Sequence, residues 1–147
     1  MAIYWLTGQP GSGKTTIGEI LVEEEFAGYP AIIIDGDDLR DIFDNKDFSE
    51  TGRRKNIEFA QNMATFLHHI GYIVVVAMVS PYRDQREAFK AKIGDGIKEA
   101  YIHTSNIRGR ESYFVENYEQ PLENYIDIDT TAITPQQAVD LFFNKEI

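Results

Sequence analysis

Gly8-Gln9-Pro10-Gly11-Ser12-Gly13-Lys14-Thr15 satisfies the pattern Gly-x-x-x-x-Gly-Lys-[Ser/Thr], and this stretch decides the fold. The apolar run at residues 3–7 before it reads as a buried strand. The run from Lys14 to Phe26 after it reads as a helix. Strand, glycine loop and helix in that order are the context in which the pattern binds phosphate. Gly8, Gly11 and Gly13 let the backbone curl so that successive N–H groups of the loop, which also holds Gln9, Pro10 and Ser12, point inward at phosphate oxygens. The helix that starts near Lys14 adds positive potential at its N-terminus. Lys14 is expected to reach the β- and γ-phosphates of ATP. The Thr15 hydroxyl is expected to ligate Mg²⁺, with Thr16 beside it.

Outward from the loop, short apolar runs alternate with longer amphipathic ones. Residues 3–7, 31–35, 72–80, 100–104 and 125–129 read as strands, several rich in Ile and Val on both faces. That pattern suits a parallel sheet covered by helices on both sides. Helices are expected over 14–26, 53–70 and 83–93. The 53–70 helix has an apolar face of Ile57, Ala60, Ala64 and Leu67, and Gly71 is its stop. Thr134 reads as the N-cap of the last helix, with Pro135 in its first position. The expected fold is α/β: a three-layer phosphate-loop kinase domain over residues 1–147 with about five parallel strands.

Composition narrows the partners. The chain of 147 residues carries 14 Lys and Arg against 24 Asp and Glu, a formal charge of −10. Such a chain is repelled by nucleic-acid backbones, so no nucleic-acid partner is expected. Arg53-Arg54-Lys55 is its one basic run and suits a small anion. There are no cysteines, which fits a reducing cytoplasm and excludes disulfides and thiolate metal sites. No apolar run approaches the roughly 18 residues of a membrane span, and no signal peptide is expected at the N-terminus.

The GTPase signatures fail. No glycine has an Asp three positions before it, and Asn45-Lys46-Asp47-Phe48 departs from Asn-Lys-x-Asp at its last position. A kinase for small molecules needs less: a phosphate cradle, Mg²⁺, a base for the acceptor hydroxyl and arginines for the charge. The second strand runs into Asp35-Gly36-Asp37-Asp38-Leu39-Arg40, so these carboxylates emerge beside the glycine loop. Gly36 is expected to allow a tight turn between two acids. One acid then orients Mg²⁺-bound water and the other takes the acceptor's proton. A plain acidic turn capping a helix at Leu39 is the other reading of the same residues.

Asp35-Gly36-Asp37-x-x-Arg40, then Phe48-Ser49-x-x-x-Arg53-x-x-Asn56-Ile57, then Ser80-Pro81-Tyr82-Arg83-x-x-Arg86, resembles the adenylylsulfate kinase (APS kinase) family in order and spacing. That family phosphorylates the 3′-hydroxyl of adenosine 5′-phosphosulfate (APS) with Mg-ATP, giving PAPS. The resemblance implies that Asp37 is the catalytic base and that Arg40 and Arg53 bind the phosphosulfate. It further implies that Asn56 holds the substrate and Phe48 stacks on its adenine. Ser80 falls where members touch substrate or carry a phosphoryl group. A homodimer is the common state of that family. The chain departs from it at Gly52, Lys55, Glu58 and Phe59, where Asp, Glu and two arginines are usual. The family's long basic lid is also shortened, to residues of about 105–121, with Arg108 and Arg110 as its basic residues. These are expected to contact the ATP phosphates, with Tyr113 and Phe114 covering a base. Phosphorylation of APS is the leading expectation. Another small alcohol acceptor, or a nucleotide-binding module without turnover, stays open.

Overall fold

The structure is a computed structural model that describes residues 2–106 and 114–144. Five parallel strands form one sheet: β1 (Ile3–Thr7), β2 (Ala31–Asp35), β3 (Ile73–Ala77), β4 (Ile97–His103) and β5 (Ile126–Asp129), in the order β2-β3-β1-β4-β5. The helices are α1 (Lys14–Ile20), α2 (Gly36–Ile42), α3 (Glu50–His69), α4 (Arg83–Ile93) and α5 (Pro135–Leu141). The expected α/β layering with about five parallel strands is what the structure has.

Side-chain alternation divides the core. Tyr4, Leu6, Val75, Ile102 and Ile128 point to α1 and α5, where they meet Ile17, Leu21, Val139 and Phe142. Ile3, Trp5, Ile34, Val74 and Val76 point the other way, onto Leu39, Ile57, Ala60, Ala64 and Phe89 of α2, α3 and α4. Strand β1 lies at the centre, with neighbours leading to both edges. The crevice beyond its C-terminal end is where ligands bind in such sheets.

Several local readings shift. The first helix passes into a π-helical turn over Leu21–Glu25. Helix α3 starts at Glu50 because Ser49 caps it, its Oγ accepting from Gly52 N–H at 3.4 Å. The cap of α5 is as expected, with Thr134 and Gln137 bonding each other's backbone N–H at 3.1 and 2.9 Å. Gly36 opens no tight turn. It is the first residue of α2, and Asp35 is the N-cap, accepting from Asp37 N–H at 2.9 Å. The acidic segment is thus a capped helix start, and what remains is which of its acids also face the site.

Strand β4 begins three residues earlier than its apolar run because Glu99 is buried in it. Glu99 accepts from Arg86 Nε at 2.9 Å and Lys90 Nζ at 2.8 Å, all three groups nearly solvent-free. Burial opposes the Lys90 charge, yet the bonds to Glu99 and Glu87 hold its pKa above the ordinary lysine value. Arg86 also donates to the carbonyls of Ser80 and Glu119, and Lys90 to those of Glu123 and Asn124. The triad therefore pins residues 119–124 across α4 and β4. Glu99→Ala removes the carboxylate partner of buried Arg86 and leaves Lys90 only the half-exposed Glu87. It is expected to cost about 3–5 kcal/mol of unfolding free energy, read by urea denaturation. A loss under about 1 kcal/mol would show that water enters the triad freely.

Candidate active site

The glycine loop joins β1 to α1. Gly8 is required by contact, since a Cβ there would lie 2.1 Å from the Ile102 carbonyl oxygen. Gly13, at φ 106°, is the left-handed N-cap of α1. Lys14 is buried, with Nζ donating to the Gln9 carbonyl at 2.9 Å and lying 3.5 Å from Ser12 Oγ. The Thr15 hydroxyl donates to Asp35 Oδ2 at 3.0 Å. One oxygen of Asp35 thus caps α2 while the other faces Thr15, so the cap leaves one carboxylate oxygen beside the glycine loop. Among the described residues no cluster of three His, Cys, Asp or Glu side chains could cage a metal. A cation here would be held by Thr15, with Asp35 next to it and phosphate oxygens completing the shell, the usual arrangement for Mg²⁺.

A cavity of about 720 Å³ opens from this loop, within the range of small-molecule sites. It is lined by Pro10, Gly11, Gly13, Lys14, Thr15 and Thr16 at one end, and by Asp35, Asp37, Arg40, Phe48, Arg53, Asn56 and Ser80 at the other. Phe114 and Val115 complete it. The structure therefore brings nearly all the expected site residues to one wall or another. Gly8, Gln9 and Ser12 are in the loop but do not line the cavity. Arg108 and Arg110 lie outside the described residues.

The individual side chains differ in how free they are. The Arg53 side chain has no hydrogen bond or ion pair with another described residue, while its backbone N–H donates to the Ser49 carbonyl at 2.9 Å. Asn56 is 3% exposed and donates Nδ2–H to the Gly36 carbonyl at 3.3 Å, while its Oδ1 is buried without a partner. Asn56 is in the cavity lining, and a buried amide oxygen without a partner is a group that a ligand donor would satisfy. Asp37 is exposed at the cavity wall.

Arg40 is partly committed. Its Nη1 donates to the Asn45 and Asp47 carbonyls at 3.0 and 3.1 Å, and its guanidinium lies 4.0 Å from the centre of the Phe48 ring. Burial first, and then the like charge of Arg53, hold its pKa below the ordinary arginine value. The shared loop also explains a departure from the family pattern. A Cβ at Gly52 would sit 2.1 Å from the Asp47 carbonyl oxygen, so only glycine lets residues 45–47 fold onto α3. Phe59 is likewise used, stacked on Phe43 with ring centres 4.4 Å apart, which packs the end of α2 on α3.

Ser80 is in the cavity lining, and its hydroxyl is engaged with the core. Its hydroxyl accepts from Trp5 Nε1 at 2.9 Å and donates to the Met78 carbonyl at 3.2 Å, at 2% exposure and φ 40°. Its proton and one of its two lone pairs are used inside the core, so in this geometry Ser80 ties β1 to the end of β3.

The comparisons extend this geometry. The family model for adenylylsulphate kinase matches residues 1–127. A probable adenylyl-sulfate kinase of Pyrococcus abyssi is 30% identical, covering 96% of this chain and 92% of that protein. The adenylyl-sulfate kinase of Burkholderia ambifaria is 27% identical, covering 97% and 91%. That match spans 165 aligned positions, more than the 147 residues of this chain, so the relative carries segments this chain lacks. Among solved structures, the APS kinase CysC of Mycobacterium tuberculosis in complex with AMPPNP and APS shares the fold. It has a TM-score of 0.79 and 24% identity, with 97% of this chain and 98% of that chain covered. With the family model spanning most of its length and the phosphate loop, Asp37, Arg53 and Asn56 gathered on one cavity, the chain belongs to the adenylylsulphate kinase family.

Proposed function

We propose that the chain transfers the γ-phosphoryl group of ATP to the 3′-hydroxyl of APS, giving PAPS and ADP, in the cytoplasm. One observation carries the reading: the cavity that holds the phosphate loop is also lined by Arg53, whose side chain is unpaired among the described residues, and by Asn56, whose buried Oδ1 has no partner. A phosphate donor and an anionic acceptor that carries hydrogen-bond donors fit the two ends.

In this reading the loop N–H groups and Lys14 bind the β- and γ-phosphates. Thr15, with Asp35 beside it, would hold Mg²⁺, which would supply positive charge for the leaving oxygen. Asp37 accepts the proton of the 3′-hydroxyl as its oxygen attacks the γ-phosphorus and the bond to ADP breaks. Arg53 faces the phosphosulfate, with Arg40 beside it. Phe48, 61% exposed, and Phe114, 46% exposed, offer ring faces to the adenine. The deciding experiment incubates the chain with Mg-ATP and APS and separates the products. PAPS formation supports the reading. Turnover of other alcohols with none of APS would end it.

The arginines give a graded test. Arg53→Ala removes an unshared guanidinium and is expected to raise KM for APS by about 10–100-fold, the scale of one charge-assisted bond. Arg40→Ala also releases the loop that presents Phe48, so it should lower kcat as well. KM for ATP should move little in either. Unchanged KM for APS in both variants would take the phosphosulfate away from this wall.

A further inference from the structure

Gln9 is the second residue of the phosphate loop, yet it does not line the cavity and its side chain is bonded to a distant segment. Its Nε2 donates to the Val115 carbonyl at 2.9 Å, and its Oε1 accepts from the Val115 N–H at 2.9 Å. A carboxamide carries a donor and an acceptor spaced like those of a peptide group. The pair is therefore one rung of a β-ladder, made by a side chain across 106 residues of sequence.

Three observations give this rung a consequence. Val115 and its neighbour Phe114 line the cavity that holds Lys14, Asp37 and Arg53. Within the described residues, the bonds to Gln9 are the hydrogen bonds that residues 114–117 make. The chain beyond is anchored separately, through Tyr118 to Thr7 at 2.7 Å, Glu119 to Pro81 at 3.0 Å and the Glu99 triad. Gln9 also offers its own carbonyl to Lys14 Nζ at 2.9 Å. One residue thus touches the phosphate-binding cation through its backbone and the cavity's far wall through its side chain.

We propose that Gln9 is a positioning residue for the transfer reaction. Its carboxamide holds the Phe114-Val115 segment against the cavity, and so sets affinity for the acceptor and the share of ATP lost to water. A wall held by one rung is closed in the bound state and opens when the rung breaks, which admits water to the γ-phosphate. For its substrate the proposal rests on the transfer to APS argued above.

The test compares Gln9→Ala, the isosteric Gln9→Glu, Phe114→Ala and the double variant Gln9→Ala/Phe114→Ala with the parent, using Mg-ATP and APS. Loss of two neutral hydrogen bonds is expected to raise KM for APS about tenfold in Gln9→Ala. KM for ATP should stay within about threefold, and hydrolysis relative to transfer should rise. Gln9→Glu keeps the volume but sets a carboxylate oxygen against the Val115 carbonyl, so its KM for APS should rise at least as far. A residue that only fills space would tolerate this exchange. Because Gln9 acts through Phe114, the double variant should lie within about twofold of Phe114→Ala alone. Parent KM in Gln9→Glu, or fully multiplicative losses in the double variant, would overturn the proposal. Amide hydrogen exchange on the nucleotide-free protein gives a readout independent of the acceptor. The Val115 N–H should exchange at least about tenfold faster in Gln9→Glu than in the parent. If the parent fails to phosphorylate APS, the substrate reading falls, and unchanged Val115 exchange would still sink the role of Gln9 by itself.

Discussion

Lys14→Ala is expected to reduce phosphoryl transfer by about 10³-fold or more, while the protein stays folded. Lys14 is a nearly buried ammonium at the start of α1, and its polar contacts include the Gln9 carbonyl and Ser12 Oγ. Both are neutral oxygens that the phosphate oxygens of ATP can replace. The lysine then meets charge that grows on the leaving oxygen during transfer, in a site where water is scarce. Removing one such group costs roughly 10²–10³ in acyl transfer, and losing a phosphate-facing cation costs roughly 10³–10⁵ in related phosphoryl transfer. Ala is a good first-turn residue, so α1 should persist. The measurement is single-turnover transfer at saturating ATP, with thermal unfolding as the control. A variant that turned over at the parent rate would mean that the glycine loop does not hold the transferred phosphate.

The parts of the fold that were legible are those where one local rule dominates. Strands β1 and β2 are uninterrupted apolar runs ended by polar residues, and α5 announces itself by Thr134-Pro135 and Gln137. The misread parts are those where a distant partner overrides the local text. Glu99 looks like a surface residue until Arg86 and Lys90, on α4, neutralise it inside the sheet. Helix α2 opens with Gly36-Asp37-Asp38, poor helix formers, and is stabilised by the side chain of Asp35 and by Leu39 packing against α3. Ser80 sits in the expected motif, yet Trp5 on β1 takes its hydroxyl, a contact across 75 residues that no spacing reveals. The glycine loop, Asp37, Arg53 and Asn56 were legible as a set because they follow a motif in order. The pairing of Gln9 with Val115 was invisible, since a side-chain amide bonded to a backbone leaves no trace in residue type at Val115.

The contrast between the two acids of the α2 cap separates chemistry from architecture. Asp37→Asn is expected to lower kcat by about 10² or more, the usual range for losing a general base, and to leave ATP binding nearly intact. Asp37 contributes its backbone N–H to the cap, and that bond to Asp35 Oδ1 survives the exchange. Its side chain is exposed on the cavity wall, so asparagine there neither strains the helix nor leaves a buried group unpaired. Asp35→Asn changes two things. One oxygen remains to cap α2, as asparagine caps well. The other position now carries either an amide that cannot attract Mg²⁺ or a donor set against the Thr15 hydroxyl. Its effect should therefore appear as a raised Mg²⁺ requirement, partly overcome by excess Mg²⁺, whereas no Mg²⁺ concentration should restore Asp37→Asn. Transfer rates across a Mg²⁺ titration, measured for both variants beside the parent, distinguish the roles. Small and equal losses in both, insensitive to Mg²⁺, would reduce the whole acidic turn to a helix cap and move the base elsewhere in the cavity.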